Sequence, residues 1–89
     1  MYYDVKSAHY CAGYKIKIIF EDGKSGIVDF EQYLQKGGVF KKFQDMNFFK
    51  KFQINEELGT LNWEDDVDIA PETVYSLATK SPLPKWQVN

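Results

Sequence analysis

The sequence predicts an α+β domain: a small antiparallel sheet of hairpins, two or three short helices, and a C-terminal helix packed on the sheet. Three observations carry that class. Apolar residues alternate with polar ones in short runs separated by tight turns, as half-buried strands require. Helix start and stop signals bracket two other short stretches. The length of 89 residues allows one core and no more. The expected organisation is a single domain over residues 1–80 and an extended tail over 81–89, where two prolines fall in four residues of "SPLPKWQVN".

Taken in order, "YYDVKSAHY" sets Tyr3, Val5 and Ser7 against Tyr2, Asp4 and Lys6, a first strand. "YKIKIIF" places Tyr14, Ile16, Ile18 and Phe20 on one face and Lys15, Lys17 and Ile19 on the other, a second strand. "EDG" followed by "KSGIVDF" closes a hairpin. A three-residue loop, Glu21-Asp22-Gly23, keeps the apolar parity, pairing Ile16 with Val28 and Lys15 with Asp29 and giving Gly23 the left-handed position. A two-residue Asp22-Gly23 turn remains open, but sets Ile16 opposite Asp29.

"DFEQYLQKGG" reads as a short helix: Asp29 caps it, Gln32 follows three residues on, and Gly37-Gly38 stops it. "VFKKFQDMNFFKKFQI" then supplies one or two helical turns, before alternation resumes at Phe52 and Ile54. "LGTLNW" and "VDIA" form a second hairpin. Pairing Leu61 with Ile69 and Trp63 with Val67 demands a loop of Glu64, Asp65 and Asp66, with Asp66 in the left-handed position that aspartate tolerates. Pro71 suits the first position of the last helix, and Asp68, three residues earlier, is a candidate cap.

Charge is unevenly spread. The whole chain carries −2, residues 36–53 carry +4, residues 54–89 carry −5, and all eleven cations are lysines. Reading guanine or clamping phosphate bidentately calls on the planar arginine fork, so direct nucleic-acid recognition is disfavoured. No apolar run long enough to span a bilayer occurs, and "YYDVKS" after Met1 lacks the basic stretch and apolar core of a secretory signal. With Cys11 the lone cysteine, a reducing cytoplasm is the expected compartment.

The densest chemistry is "LNWEDDVDIAPE", with five carboxylates from Glu64 to Glu72. It lacks the glycine and the distant glutamate of a calcium loop. A general acid–base pair needs one carboxylate buried and one ionised, whereas a hairpin tip offers both to water. Turn chemistry explains these residues better, with a metal-dependent factor or minor enzyme using Asp65, Asp66 and Asp68 as the alternative. His9 and Cys11 have no second cysteine or histidine to complete a zinc site, and no orienting third group for a nucleophile. No glycine-rich phosphate loop or serine nucleophile elbow occurs, so neither cofactor nor catalysis is expected.

What remains is the basic, aromatic middle, "KGGVFKKFQDMNFFKK". Its phenylalanines read chiefly as core anchors rimmed by lysine. Phe48 and Phe49, being neighbours, cannot both face inward. Lys41, Lys42, Phe48, Phe49, Lys50 and Lys51 are therefore the candidate surface for a protein partner or for a second copy of the chain. Weak nucleic-acid binding through the same stretch is a further alternative.

The order "YKIKIIFEDG", "VDFEQYLQKGGVFKKFQDMNFF", "LGTLNWEDDVDIAPETVY" resembles a small bacterial family catalogued as domain of unknown function 2442, over roughly residues 3–77. The resemblance implies a single α+β domain and no assigned activity. Some members of that family are fused to a helix-turn-helix domain, and others neighbour a second short gene in the manner of toxin–antitoxin pairs. What carries over is a regulatory partnership with another protein, without DNA binding by this chain. Where relatives tend to have Trp-Pro-Asn-Gly before "DIAPE", Trp63, Glu64, Asp65 and Asp66 stand here.

Overall fold

The computed structural model describes residues 3–64 and 67–80. The order of elements is β1 (Val5–Ala12), β2 (Lys15–Phe20), β3 (Ser25–Asp29), a 3-10 helix (Phe30–Gln35), a second 3-10 helix (Gly38–Gln44), α1 (Met46–Phe49), β4 (Gln53–Asn55), β5 (Thr60–Trp63), β6 (Val67–Ile69) and α2 (Pro71–Thr79). The class is α+β, as expected. Its hairpins divide into two antiparallel three-stranded sheets, ordered β1-β2-β3 and β4-β5-β6. They are tied where the Val5 amide donates to the Gly59 carbonyl at 2.9 Å.

Both hairpin registers follow the parity of the apolar residues. Ile16 lies opposite Val28 and Lys15 opposite Asp29, and Gly23 takes a φ of 90° in the turn between them. Leu61 lies opposite Ile69 and Trp63 opposite Val67. A one-residue slip of either hairpin would turn its apolar set into water. Asp65, Asp66 and the tail of residues 81–89 lie outside the described residues, and with them the left-handed position expected for Asp66 and the extended conformation expected for the tail.

The segment after β3 starts as a helix because the Asp29 carboxylate accepts from the Glu31 amide at 3.0 Å, while the Gln32 side chain donates back to the Asp29 carbonyl at 3.2 Å. It is wound as a 3-10 helix, and Gly37 separates it from the next. Asp45 caps α1 through the Asn47 and Phe48 amides.

Trp63 is the centre of the core. It sits 4.6 Å from Phe43, 5.8 Å from Phe30 and 5.9 Å from Phe49 between ring centroids, and its indole N–H donates to the Phe49 carbonyl at 2.7 Å. Aromatic pairs at such separations add about 0.5–1.5 kcal/mol each beyond their buried area. The indole bond also satisfies a polar group that would be costly to bury alone. Strand residues Ile16, Ile18, Phe20, Leu61 and Val67 complete this core with no exposed surface.

The C-terminal helix packs on the first sheet. Gly26 makes this possible: a Cβ there would collide with the Ala78 carbonyl oxygen, so only glycine lets α2 approach β3 so closely. Val74 and Ala78 are the buried face of α2, and Pro71 opens it as the sequence suggests. Asp68 does not cap it. The strand runs on to Ile69, the cap position falls to Ala70, and no side chain bonds the first amides; Asp68 is an exposed strand residue opposite Asn62. The helix ends on Lys80 in the left-handed conformation, φ 56°.

Candidate interaction surface

On the two 3-10 helices and α1, Val39 is exposed, while Leu34, Phe40, Met46 and Phe48 are partly buried and pack against the core. Phe43 and Phe49 turn inward and are fully buried. Phe49 therefore leaves the candidate surface. Its ring lies against Trp63 and 5.2 Å from Phe43, and its carbonyl holds the indole, so it is a core anchor. Phe48, its neighbour, is half-buried, with its ring 6.3 Å from that of Phe43.

Lys41, Lys42, Lys50 and Lys51 are all exposed. The Lys50 ammonium lies 5.0 Å from the Tyr10 ring centre and the Lys36 ammonium 5.3 Å from that of Tyr33, so two cations of this region rest on aromatic faces. Burial pushes the Tyr33 phenol up from its ordinary value. Val39 is 51% exposed on the second 3-10 helix, and the ring of Phe40, half-buried, lies tilted 4.9 Å from that of Tyr33. One exposed valine and two half-buried phenylalanines thus share the segment of residues 39–51 with four exposed lysines. Such a segment can meet an acidic, partly apolar surface.

The other sequence candidates do not gather into one place. Glu64 and Asp68 are exposed on the β5–β6 hairpin, Gly23 sits at the β2–β3 turn, and His9 and Cys11 are exposed on β1. Among the described residues no group of three or more histidine, cysteine or carboxylate side chains could hold a metal ion. A shallow hollow of about 290 Å³ lies between β1 and the β4–β5 turn, lined by Asp4, Val5, Lys6, Glu21, Ile54, Glu56 and Gly59. No helix among the described residues is long and apolar enough to cross a membrane.

One polar pair escaped sequence reading. The Tyr75 hydroxyl on α2 donates to Asp22 Oδ2 at 2.6 Å, while Asp22 Oδ1 accepts from the Lys24 amide at 2.8 Å. The Tyr75 bond, with the Lys24 amide second, holds the Asp22 carboxyl below its ordinary value, and the same bond raises the Tyr75 phenol. Tyr3 and Phe20 pack edge-on against the Tyr75 ring at 4.9 and 4.8 Å. The available signal was the Tyr75 ending of "DIAPETVY", but nothing local names a partner 53 residues away.

No curated protein and no solved structure matches the chain. A family model does, over residues 5–80, which takes in every strand and helix among the described residues. The chain belongs to the family described as protein of unknown function DUF2442.

Proposed function

We propose that this chain is a small, non-catalytic interaction module that works by binding another protein, as a regulatory accessory in the bacterial cytoplasm, with a genetically paired partner the first candidate. The observation that carries this reading is the exposed Val39 and half-buried Phe40 and Phe48 on the same segment as the exposed Lys41, Lys42, Lys50 and Lys51. Apolar surface that a small domain leaves in water beside one sign of charge is a feature of protein-binding sites. The lysine charge steers a partner of opposite sign and fixes its register, while the apolar side chains supply contact area. Lysine suits this task, being a hydrated point charge on a flexible stem that adapts to a protein surface.

The test is affinity capture from the native host, with the product of the neighbouring gene included, using the chain and a variant carrying Lys41→Glu, Lys42→Glu, Lys50→Glu and Lys51→Glu. The expected result is a protein retained by the chain, released by salt, and not retained by the folded variant. Retention of nucleic acid in its place, with affinity falling steeply with salt, would replace this reading by the nucleic-acid one. Loss of a measured ion affinity in Asp65→Asn with Asp66→Gly would favour the metal-dependent alternative.

A further inference from the structure

We propose that β3 is a homodimerisation edge, at which two copies of the chain pair antiparallel through Ser25, Ile27 and Asp29 and join their first sheets into one of six strands. The direction of the backbone groups follows from the hydrogen bonds. The Phe20 amide donates to the Lys24 carbonyl and the Phe30 amide to the Tyr14 carbonyl, each at 2.9 Å. Bonded and non-bonded pairs alternate along an antiparallel ladder, so with Ile18 opposite Gly26 and Ile16 opposite Val28 these two β3 residues bond to β2. Ser25, Ile27 and Asp29 consequently direct their N–H and C=O groups away from β2.

Among the described residues, the other sheet edges, β1, β4 and β6, carry devices that discourage pairing. β1 is interrupted by two register shifts and tied at Val5 to Gly59. β4 and β6 have three residues each, and β6 has Asp68 at its middle. β3 has five residues with no lysine, proline or register shift, and Ile27 stands at its centre 56% exposed. The helix α2 approaches β3 at Gly26, where an added Cβ would meet the Ala78 carbonyl.

A second copy fits this edge because the outward set is symmetric about Ile27. A two-fold axis there places Ile27 against Ile27, covers both side chains, and brings each Ser25 opposite the Asp29 of the copy, a hydroxyl donor facing a carboxylate acceptor. The Asp29 carbonyl already accepts from Gln32 at 3.2 Å, but a carbonyl has two lone pairs and can take the amide of Ser25 as well. Any other centre of symmetry pairs fewer of these groups.

The experiment is sedimentation equilibrium of the full chain from micromolar to millimolar concentration, on the native sequence and on Ile27→Lys. The native chain should show a concentration-dependent dimer, and Ile27→Lys should remain monomeric with unchanged far-UV circular dichroism. Should Ile27→Lys fail to fold, Ser25→Lys on the same edge takes its place. Register is read from Ile27→Cys in a Cys11→Ser background. Bonded antiparallel partners lie about 5.5 Å apart between Cα atoms, within disulfide reach, so mild oxidation should give a covalent dimer. A monomer at every concentration overturns the proposal. So does a dimer that survives both lysine variants, a dimer lost on reversing Lys50 and Lys51, or a dimer in which Ile27→Cys fails to cross-link.

Discussion

The Tyr75 hydroxyl donates to Asp22 at 2.6 Å, joining the C-terminal helix to the β2–β3 turn across 53 residues of sequence. It ties the loop that sets the first hairpin's register, through Asp22, to the helix laid on that hairpin, through Tyr75. Tyr75→Phe keeps the ring contacts with Tyr3 and Phe20 and removes only the bond. Its expected effect is a small fall in melting temperature, well below that of a core truncation. An unchanged melting temperature would make the bond incidental.

The same pair predicts a pH dependence with two arms. Asp22 titrates below its unfolded value of about 4, so its contribution is present above that value and is lost as pH falls through the lowered one. Tyr75 is raised above its unfolded value of about 10, so its contribution is present below that value and is lost as pH rises through the raised one. Melting temperatures of the chain and of Asp22→Asn should therefore differ most at intermediate pH and converge towards both extremes. Parallel curves across the whole range would contradict this.

Gly26→Ala should be severely destabilising although its backbone is ordinary strand. The added methyl meets the Ala78 carbonyl, which belongs to a helix backbone and cannot rotate away. The expected loss is about 3 kcal/mol, at the upper end of overpacking costs, in urea unfolding. A loss under about 1 kcal/mol would mean that α2 shifts freely on the sheet.

Phe48 and Phe49 should separate cleanly. Phe49→Ala removes a fully buried ring from the Trp63 cluster and should cost about 3–5 kcal/mol. Phe48→Ala, at a half-buried position, should cost much less and should weaken partner binding without unfolding the chain. Equal stability losses would place both rings in the core and reduce the proposed surface to its lysines.

These contrasts mark what local sequence could convey. The hairpin registers were legible because period-2 parity is absolute: only one loop length sets Ile16 against Val28 and Trp63 against Val67. The Asp29 cap was legible because a carboxylate and an amide two residues apart meet whatever surrounds them. The choice between Phe48 and Phe49 was not, since either could point inward until the Trp63 indole, 14 residues on, takes the Phe49 carbonyl. Asp68 failed as a cap because β6 continues through it, so its backbone is committed to pairing with β5 before the helix begins. The 3-10 winding, the division into two sheets and the Asp22–Tyr75 bond all depend on tertiary packing.

The measurement that bears most directly on the interaction-module reading is the affinity of the captured partner for the chain and for the Lys41→Glu, Lys42→Glu, Lys50→Glu, Lys51→Glu variant, by calorimetric titration at two salt concentrations. The expected result is a loss of about tenfold or more at low salt with an unchanged melting temperature, and a smaller difference at high salt. Equal affinities for a folded variant and the native chain would contradict it.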